Sequence, residues 1–301
     1  MRRIRVVLFS GGRGSQVLSK ELISDPRIEL TLAVNGYDDG KSTGEVRRFL
    51  RDCLGPSDFR KNASTLAGAL RSCAPELIEL LDLRLPEACE RASALACLAA
   101  LGRDPDSAAP ELARRIGELA SRLAPASRAA LARRLAAFET ELSKGEDDFE
   151  FSDCSLGNLV FAGCYLEAGR RFNAANDDYC SLLELPAGCI ENVTDGTNAY
   201  LVALDRNQRL LASEADIVDA NRRNYIEDIY LIDRRIAPDD PFVAGDVSLG
   251  EIETFLREHS QDLPPNERLL RKLEQADLVI YAPGTQHSSL LPSYLTRELS
   301  A

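Results

Sequence analysis

Five short segments carry the groups able to do chemistry in this sequence. The first is Ser10-Gly11-Gly12-Arg13-Gly14-Ser15, placed after an apolar run and before a helix-like stretch. Glycines let a backbone approach a phosphate closely, and a helix N-terminus adds unpaired N–H groups and a partial positive charge. Arg13 adds a charge-assisted contact. A tight turn between strand and helix is the plainer reading of the same residues. The full dinucleotide fingerprint is not met: G-x-G-x-x-G is incomplete, and no acidic residue ends the next apolar run.

The second segment runs from Asn35 to Gly44 and holds Asp38, Asp39, Lys41, Ser42 and Thr43. A P-loop needs four residues between its first glycine and Gly-Lys-Ser, whereas Gly36 and Gly40 enclose three. Two adjacent carboxylates in such a ring would also repel phosphate. They suit instead a hard divalent ion such as Mg²⁺, which prefers oxygen ligands and shares substrate phosphates. Asp38 and Asp39 are thus the candidate metal ligands and catalytic residues, with Ser42, Thr43 and Gly44 as donors to an anion. A solvated Asp-Gly turn is the alternative.

The third segment is Asp58-Phe59-Arg60-Lys61-Asn62: Arg60 and Lys61 can meet phosphate, and Asp58 can cap the following helix. The fourth, Ser155-Leu156-Gly157-Asn158, opens a helix; Ser155 and Asn158 either touch a ligand or cap. The fifth is Pro283-Gly284-Thr285-Gln286-His287-Ser288-Ser289, whose hydroxyls and backbone donors suit an anion, a sugar or a simple turn. Nucleophilic catalysis finds little support. A triad would have to use His259 or His287, and His259 reads as a surface residue of a charged helical stretch.

The hydrophobic pattern gives the elements that must position these segments. Residues 4–10 form a strand candidate, 15–23 a helix and 28–34 a second strand, together one βαβ unit. A helix is expected from Glu45 to Cys53 and another from near Lys61. Residues 72–147 are rich in Ala, Leu, Glu and Arg, with Pro75, Pro86, Pro110 and Pro125 near expected helix starts. Leu112, Ile116, Leu119 and Leu123 recur at helical spacing, as do Leu131, Leu135, Phe138 and Leu142, so three or four helices are expected there. Gly145 to Asp148 reads as a solvated link. Ser155 to Ala168 reads as a helix, residues 181–185, 198–205, 209–213 and 227–233 as short strands, and 264–276 as a helix. Leu278 to Tyr281 reads as a buried strand, and the last residues begin a helix and stop.

Composition bounds the function. The chain has 301 residues, is 45% apolar, lacks Trp and carries a formal charge of −12. Negative charge argues against nucleic-acid polymers and anionic membrane surfaces. It leaves room for one phosphorylated small molecule in a pocket of backbone N–H groups. The eight cysteines (53, 73, 89, 97, 154, 164, 180 and 189) include no C-x-x-C pair. They read as reduced core thiols of a cytoplasmic protein, with Cys89 and Cys97 in helix-like stretches. The basic start is followed by an apolar run too short for a secretory signal.

Taken in order, the five segments resemble the CofD and YvcK group. The first looks like that family's first glycine loop, residues 37–44 like its ADDGGSSG, residues 58–62 like its GDIRN, and Ser155 to Asn158 match its SLGN. Residues 282–292 look like GPGSLYTSILP, and residues 193–205 like the family's central strand segment. The resemblance covers residues 5–70 and 150–296.

It implies an α/β fold with a Rossmann-like parallel sheet flanked by helices. That domain would span 1–71 and 148–301, with an all-helical insertion at 72–147. It implies either a 2-phospho-L-lactate transferase-like enzyme using Mg²⁺ or a YvcK-like regulator that binds a uridine diphosphate sugar. Gly11, Gly12, Gly14 and Ser15 would hold phosphate, Asp38 and Asp39 would face the metal, and Thr285, Ser288 and Ser289 would line the pocket. Arg13, Ser42, Thr43, Arg60, Asn158 and Gly284 complete the expected ligand contacts. The expected partner is a nucleoside-diphosphate-linked small molecule, with a homodimer allowed. The sequence departs from the family pattern at Cys154, where His usually stands, and at Lys61, where Asn does. It departs again at Arg13, where a small residue is usual, and at His287, where Tyr is. It also stops where the family usually continues with another strand, so either the sheet lacks a final element or further residues follow Ala301.

Overall fold

The computed structural model describes residues 2–51, 53–101, 110–144, 148–218, 225–237, 239–244 and 247–299. Val6 to Phe9 and Leu30 to Val34 are apolar with few breaks, the pattern of strands covered on both faces. They form β1 (Ile4–Phe9) and β2 (Ile28–Val34), joined through helix α1 (Gln16–Ser24). With β3 (Ile190–Asn192) and β7 (Leu278–Tyr281) these strands make a parallel sheet in the order β3-β2-β1-β7. Ile4 pairs with Ile28, Val6 with Leu278 and Leu32 with Ile190.

β7 is not the buried strand its apolar sequence suggests. Leu278, Val279 and Tyr281 are exposed because β7 is an edge strand. Tyr281 stacks on Phe9 with ring centroids 5.4 Å apart. Residues 181–185 are not a strand either. Ser181 and Leu182 finish α9 (Phe172–Leu182), whose buried Phe172, Ala175, Asn176, Tyr179, Cys180 and Leu182 follow the helical period, and residues 183–185 leave it in a turn. The strand beside β2 is instead the three-residue β3, which includes the buried Glu191.

α2 (Lys41–Leu50) begins four residues before the expected Glu45. Gly40 is its N-cap, and its carbonyl receives the N–H groups of Thr43 and Gly44. α3 (Ser57–Leu70) likewise starts before Lys61, with Pro56 at its N-cap. Asp58 is therefore inside the first turn and does not cap the helix.

Residues 72–147 contribute α4 (Pro75–Asp82), α5 (Arg91–Ala99), α6 (Glu111–Ser121) and α7 (Pro125–Lys144). Pro75 and Pro125 open helices and Pro110 is an N-cap. Pro86 opens none: it follows an extended link in which Arg84 bridges Ser155. Leu77, Ile116, Leu131 and Phe138 belong to the same continuous apolar core as Leu32 and Leu159, so these helices share the core of the sheet. α8 (Leu156–Glu167) crosses α7 so closely that a Cβ at Gly163 would overlap the carbonyl oxygen of Arg134. Of the expected link Gly145 to Asp148, residues 145–147 lie outside the described residues; Asp148 is exposed and pairs with Arg91 at 3.1 Å.

A second sheet was not anticipated. β4 (Tyr200–Asp205), β5 (Leu210–Leu211) and β6 (Ile226–Ile232) form an antiparallel trio in the order β5-β4-β6, with α10 (Glu214–Val218) between β5 and β6 in sequence. The segment likened to the family's central strand thus lies here, beside the parallel sheet. α11 (Pro241–Ala244), α12 (Leu249–His259), α13 (Glu267–Glu274), a π-helical turn Gln286–Leu290 and α14 (Leu291–Tyr294) complete the chain. His259 closes α12 half-buried, its Nδ1 2.8 Å from Asp233. All eight cysteines are free thiols; Cys73 and Cys89 are half-buried and the others buried. Cys97 is in α5, whereas Cys89 precedes it. Among the described residues no helix is long and apolar enough to cross a membrane.

Candidate functional site

Parallel strands deliver their C-terminal ends to one edge of a sheet, and the loops leaving β1, β2 and β7 meet there. A Cβ at Gly11 would lie 2.6 Å from the Cβ of Ser289, and one at Gly14 would lie 2.6 Å from the carbonyl oxygen of Pro283. One at Gly12 would lie 2.5 Å from Asp58 Oδ1. The glycines of the first loop therefore let two neighbouring segments, residues 283–289 and the start of α3, close upon it. Asn35 Nδ2 donates to Ser289 O at 2.7 Å and to Ser293 Oγ at 3.0 Å, fastening the β2 loop to the last one. Asn62 Nδ2 donates to Gly11 O at 2.8 Å.

Within this edge the expected residues are placed unevenly. Ser15 is buried, with its hydroxyl 2.6 Å from that of Ser10. Arg13, Gly284 and Thr285 are exposed, Ser289 is half-buried, and Ser288 is buried with no hydrogen-bond partner for its hydroxyl among the described residues. Thr43 is buried against Gly55, and Gly44 leaves room for the carbonyl of Asp39.

The carboxylates form a cluster larger than the sequence suggested. Asp38 Oδ1 accepts from Gly40 N at 3.0 Å, and Asp39 Oδ1 accepts from Glu214 N at 3.2 Å. Lys61 Nζ stands 3.2 Å from Asp58 Oδ1 and 4.0 Å from Asp38 Oδ2. Burial pushes the carboxyls of Asp39 and Asp58 up, opposed by Arg47 and Lys61 respectively. Glu214 is pushed up to about 9, first by burial and then by the charge and hydrogen bond of Asp38, with Asp58 and Asp39 adding to it. Glu214 escapes sequence reading because nothing in it signals proximity to a loop 175 positions away.

Arg47 is the second residue missed. It is fully buried beneath the loop, where Nη1 donates to Tyr37 O at 3.1 Å and Asp38 O at 3.3 Å. Nη2 donates to Ala199 O at 2.6 Å, and the guanidinium lies 4.5 Å from the ring centroid of Tyr200. A buried charge is tolerated only when its donors are met, and here they fix the Asp38 backbone to the second sheet.

On the other side of Lys61 lies a cavity of about 640 Å³ between α1 and α3. Arg13, Lys20, Arg60, Lys61 and Arg84 line it, with Asp82 as the one acid. Arg60 is buried except where it meets this cavity: Nε donates to Asn158 Oδ1 at 3.0 Å and Nη1 to Asp82 Oδ1 at 3.1 Å. Asn158 Nδ2 in turn donates to Ser42 Oγ at 3.0 Å. Each residue of Ser155-Leu156-Gly157-Asn158 thus has work: Ser155 caps α8, Leu156 is core, Gly157 makes room for the Arg60 stem, and Asn158 orients the guanidinium. Ser155 is itself buried.

Among the described residues no three His, Cys, Asp or Glu side chains close into a metal cage. The donor set fits a different mode, typical of Mg²⁺: one or two carboxylates with the remaining positions taken by water and phosphate oxygens. Asp38 and Asp39 are the residues that would supply those carboxylates.

The family model for 2-phospho-L-lactate transferase CofD matches residues 6–301. The chain belongs to the CofD family. A curated relative, the "Putative gluconeogenesis factor" of Streptococcus pneumoniae serotype 4, is 21% identical over 299 residues, which is 99% of this chain and 64% of the relative. Two crystal structures of BH3568, a UPF0052-family protein from Bacillus halodurans, superpose with a TM-score of 0.60 at 19% identity. They too are covered over 64% of their length by 99% of this chain. This member of the CofD family therefore spans about two thirds of the length of those relatives, and at this identity the structures establish its fold.

Proposed function

We propose that this edge of the sheet binds a nucleoside-diphosphate-linked small molecule together with Mg²⁺, and that the protein transfers a phosphorylated group to an acceptor hydroxyl in the cytoplasm. One observation carries the reading: a five-cation cavity and a carboxylate cluster abut through Lys61 at the C-terminal ends of the parallel strands. Arg60, held by Asn158 and Asp82, presents a preoriented guanidinium to a phosphate; Arg13, Lys20 and Arg84 add charge around it. The acceptor oxygen bonds the donor phosphorus as the bond to the departing nucleoside monophosphate breaks, and the hydroxyl proton leaves to water. Mg²⁺, when bound, neutralises charge on the phosphoryl oxygens. Positioning and fixed charge are the protein's contribution.

A second reading, a regulator that binds a nucleotide sugar without consuming it, is favoured by Cys154. It stands where the family motif carries His, is fully buried, and has its thiol pushed up to about 12, chiefly by burial. Such a group does no acid–base work at neutral pH. The two readings separate in one experiment. GDP- and UDP-linked ligands are added with and without Mg²⁺, and melting temperature and ³¹P spectra are followed. Thermal stabilisation with appearance of nucleoside monophosphate in the presence of an acceptor supports transfer. Stabilisation with unchanged ³¹P resonances supports the regulator, and no stabilisation by any ligand removes both.

A further inference from the structure

Lys61 belongs to two environments at once. Its ammonium is 3.2 Å from Asp58 and 4.0 Å from Asp38, and the same residue lines the basic cavity beside Arg60. Asp58 and Asp38 face the ammonium, and Glu214 in turn is acted on by Asp38, Asp58 and Asp39. Three guanidinium groups also act on the cluster, Arg60 on Asp58 among them. Arg47 is fixed below by main-chain carbonyls, and Arg235 acts on Asp39 through space. Lys61 is only partly exposed, and it rides on a flexible four-carbon stem that can swing between two oxygen sets.

We infer that Lys61 is a built-in counter-cation of the Asp38–Asp58 pair, and that its ammonium moves to a phosphate oxygen in the cavity when a divalent cation takes its place among the carboxylates. This rests on the reading of Asp38 and Asp39 as the metal-facing loop. It makes Lys61 a positioning and selectivity residue: Mg²⁺ alone competes with the ammonium, whereas Mg²⁺ with a phosphorylated ligand gives the ammonium a new partner. Divalent cation and phosphate binding are thereby coupled, each strengthening the other. No covalent chemistry is involved. The coupling is an exchange of ion pairs across one side chain.

The test is calorimetric titration of Mg²⁺ alone, without nucleotide, into the full chain and into Lys61→Gln, Lys61→Met, Lys61→Arg and Asp38→Asn. Removing one positive charge from ion-pair distance of the carboxylates should tighten Mg²⁺ about tenfold in Lys61→Gln and Lys61→Met. Lys61→Arg should stay near the wild-type value. Addition of UDP or GDP should then tighten Mg²⁺ in the wild type more than in the neutral variants. The two neutral variants differ in polarity, so a folding defect in one, seen by melting, leaves the other to decide. Equal or weaker Mg²⁺ binding in a folded neutral variant overturns the role of Lys61 while leaving the metal-facing loop intact. Absence of Mg²⁺ binding in wild type and neutral variants alike, indistinguishable from Asp38→Asn, overturns the metal-facing reading and this inference with it.

Discussion

Asn158 Oδ1 receives the Nε–H of Arg60 at 3.0 Å, a bond that joins segments 98 positions apart and leaves the guanidinium facing the basic cavity. Replacing Asn158 with Ala removes this bond and the one to Ser42 together. Arg60 then loses its fixed orientation, and buried polar groups lose their partners. We expect binding of a phosphorylated ligand to weaken roughly tenfold, together with a loss of stability of about 1–3 kcal/mol, the cost of an unsatisfied buried group. Titration calorimetry and urea melts on Asn158→Ala measure the two effects separately.

Glu214 makes a pH prediction. Its carboxyl, raised to about 9, keeps its proton in the folded protein at neutral pH, whereas the unfolded chain releases it near its ordinary value of 4.5. Between these values the folded state holds more protons than the unfolded state. The resulting stabilisation is complete below the unfolded value and fades as pH rises through about 9. Melting temperature measured from pH 5 to 10 in divalent-free buffer should decline less steeply for Glu214→Gln than for wild type. Parallel profiles would show that Glu214 is not the proton carrier.

Close packing of α7 on α8 is tested at Gly163. A methyl group there runs into the Arg134 backbone, which cannot give way as a flexible side chain would. Gly163→Ala should lose about 3 kcal/mol despite its better helix propensity, read as a lower urea midpoint at unchanged slope. Gly250 is a suitable control, because a Cβ there meets nothing within 4 Å.

The first βαβ unit was legible because its signals are local. Apolar runs at residues 4–10 and 28–34 and the glycines between them need no distant partner to be understood, and the observed β2 has the expected limits. β3 was not legible. Three residues are too few for a pattern, and its middle residue is Glu191, buried with Arg268 and Lys272 reaching it at 2.8 and 3.2 Å and Asn266 donating to it at 3.0 Å. β7 misled for the opposite reason, since Leu278 to Tyr281 are apolar but stand at an edge. Among the candidate residues, the glycine loop, Asp38 and Asp39 stood out by residue type and position after strands, and Arg60 by its type within the segment Asp58 to Asn62. Glu214 and Arg47 did not, because their importance arises from tertiary approach: one to a carboxylate cluster, the other to carbonyl oxygens. The same limit hid the second sheet, whose strands read as separate short runs.

The most direct test of a shared pocket for metal and phosphate uses Mn²⁺ in place of Mg²⁺. ³¹P spectra of a bound GDP- or UDP-linked ligand are recorded with increasing Mn²⁺, in the wild type and in the Asp38→Asn, Asp39→Asn double variant. Strong broadening of the ligand phosphates in the wild type, reduced in the double variant to that of ligand and Mn²⁺ without protein, is the predicted result. Broadening that is the same in both proteins would place the metal away from these carboxylates and contradict the account.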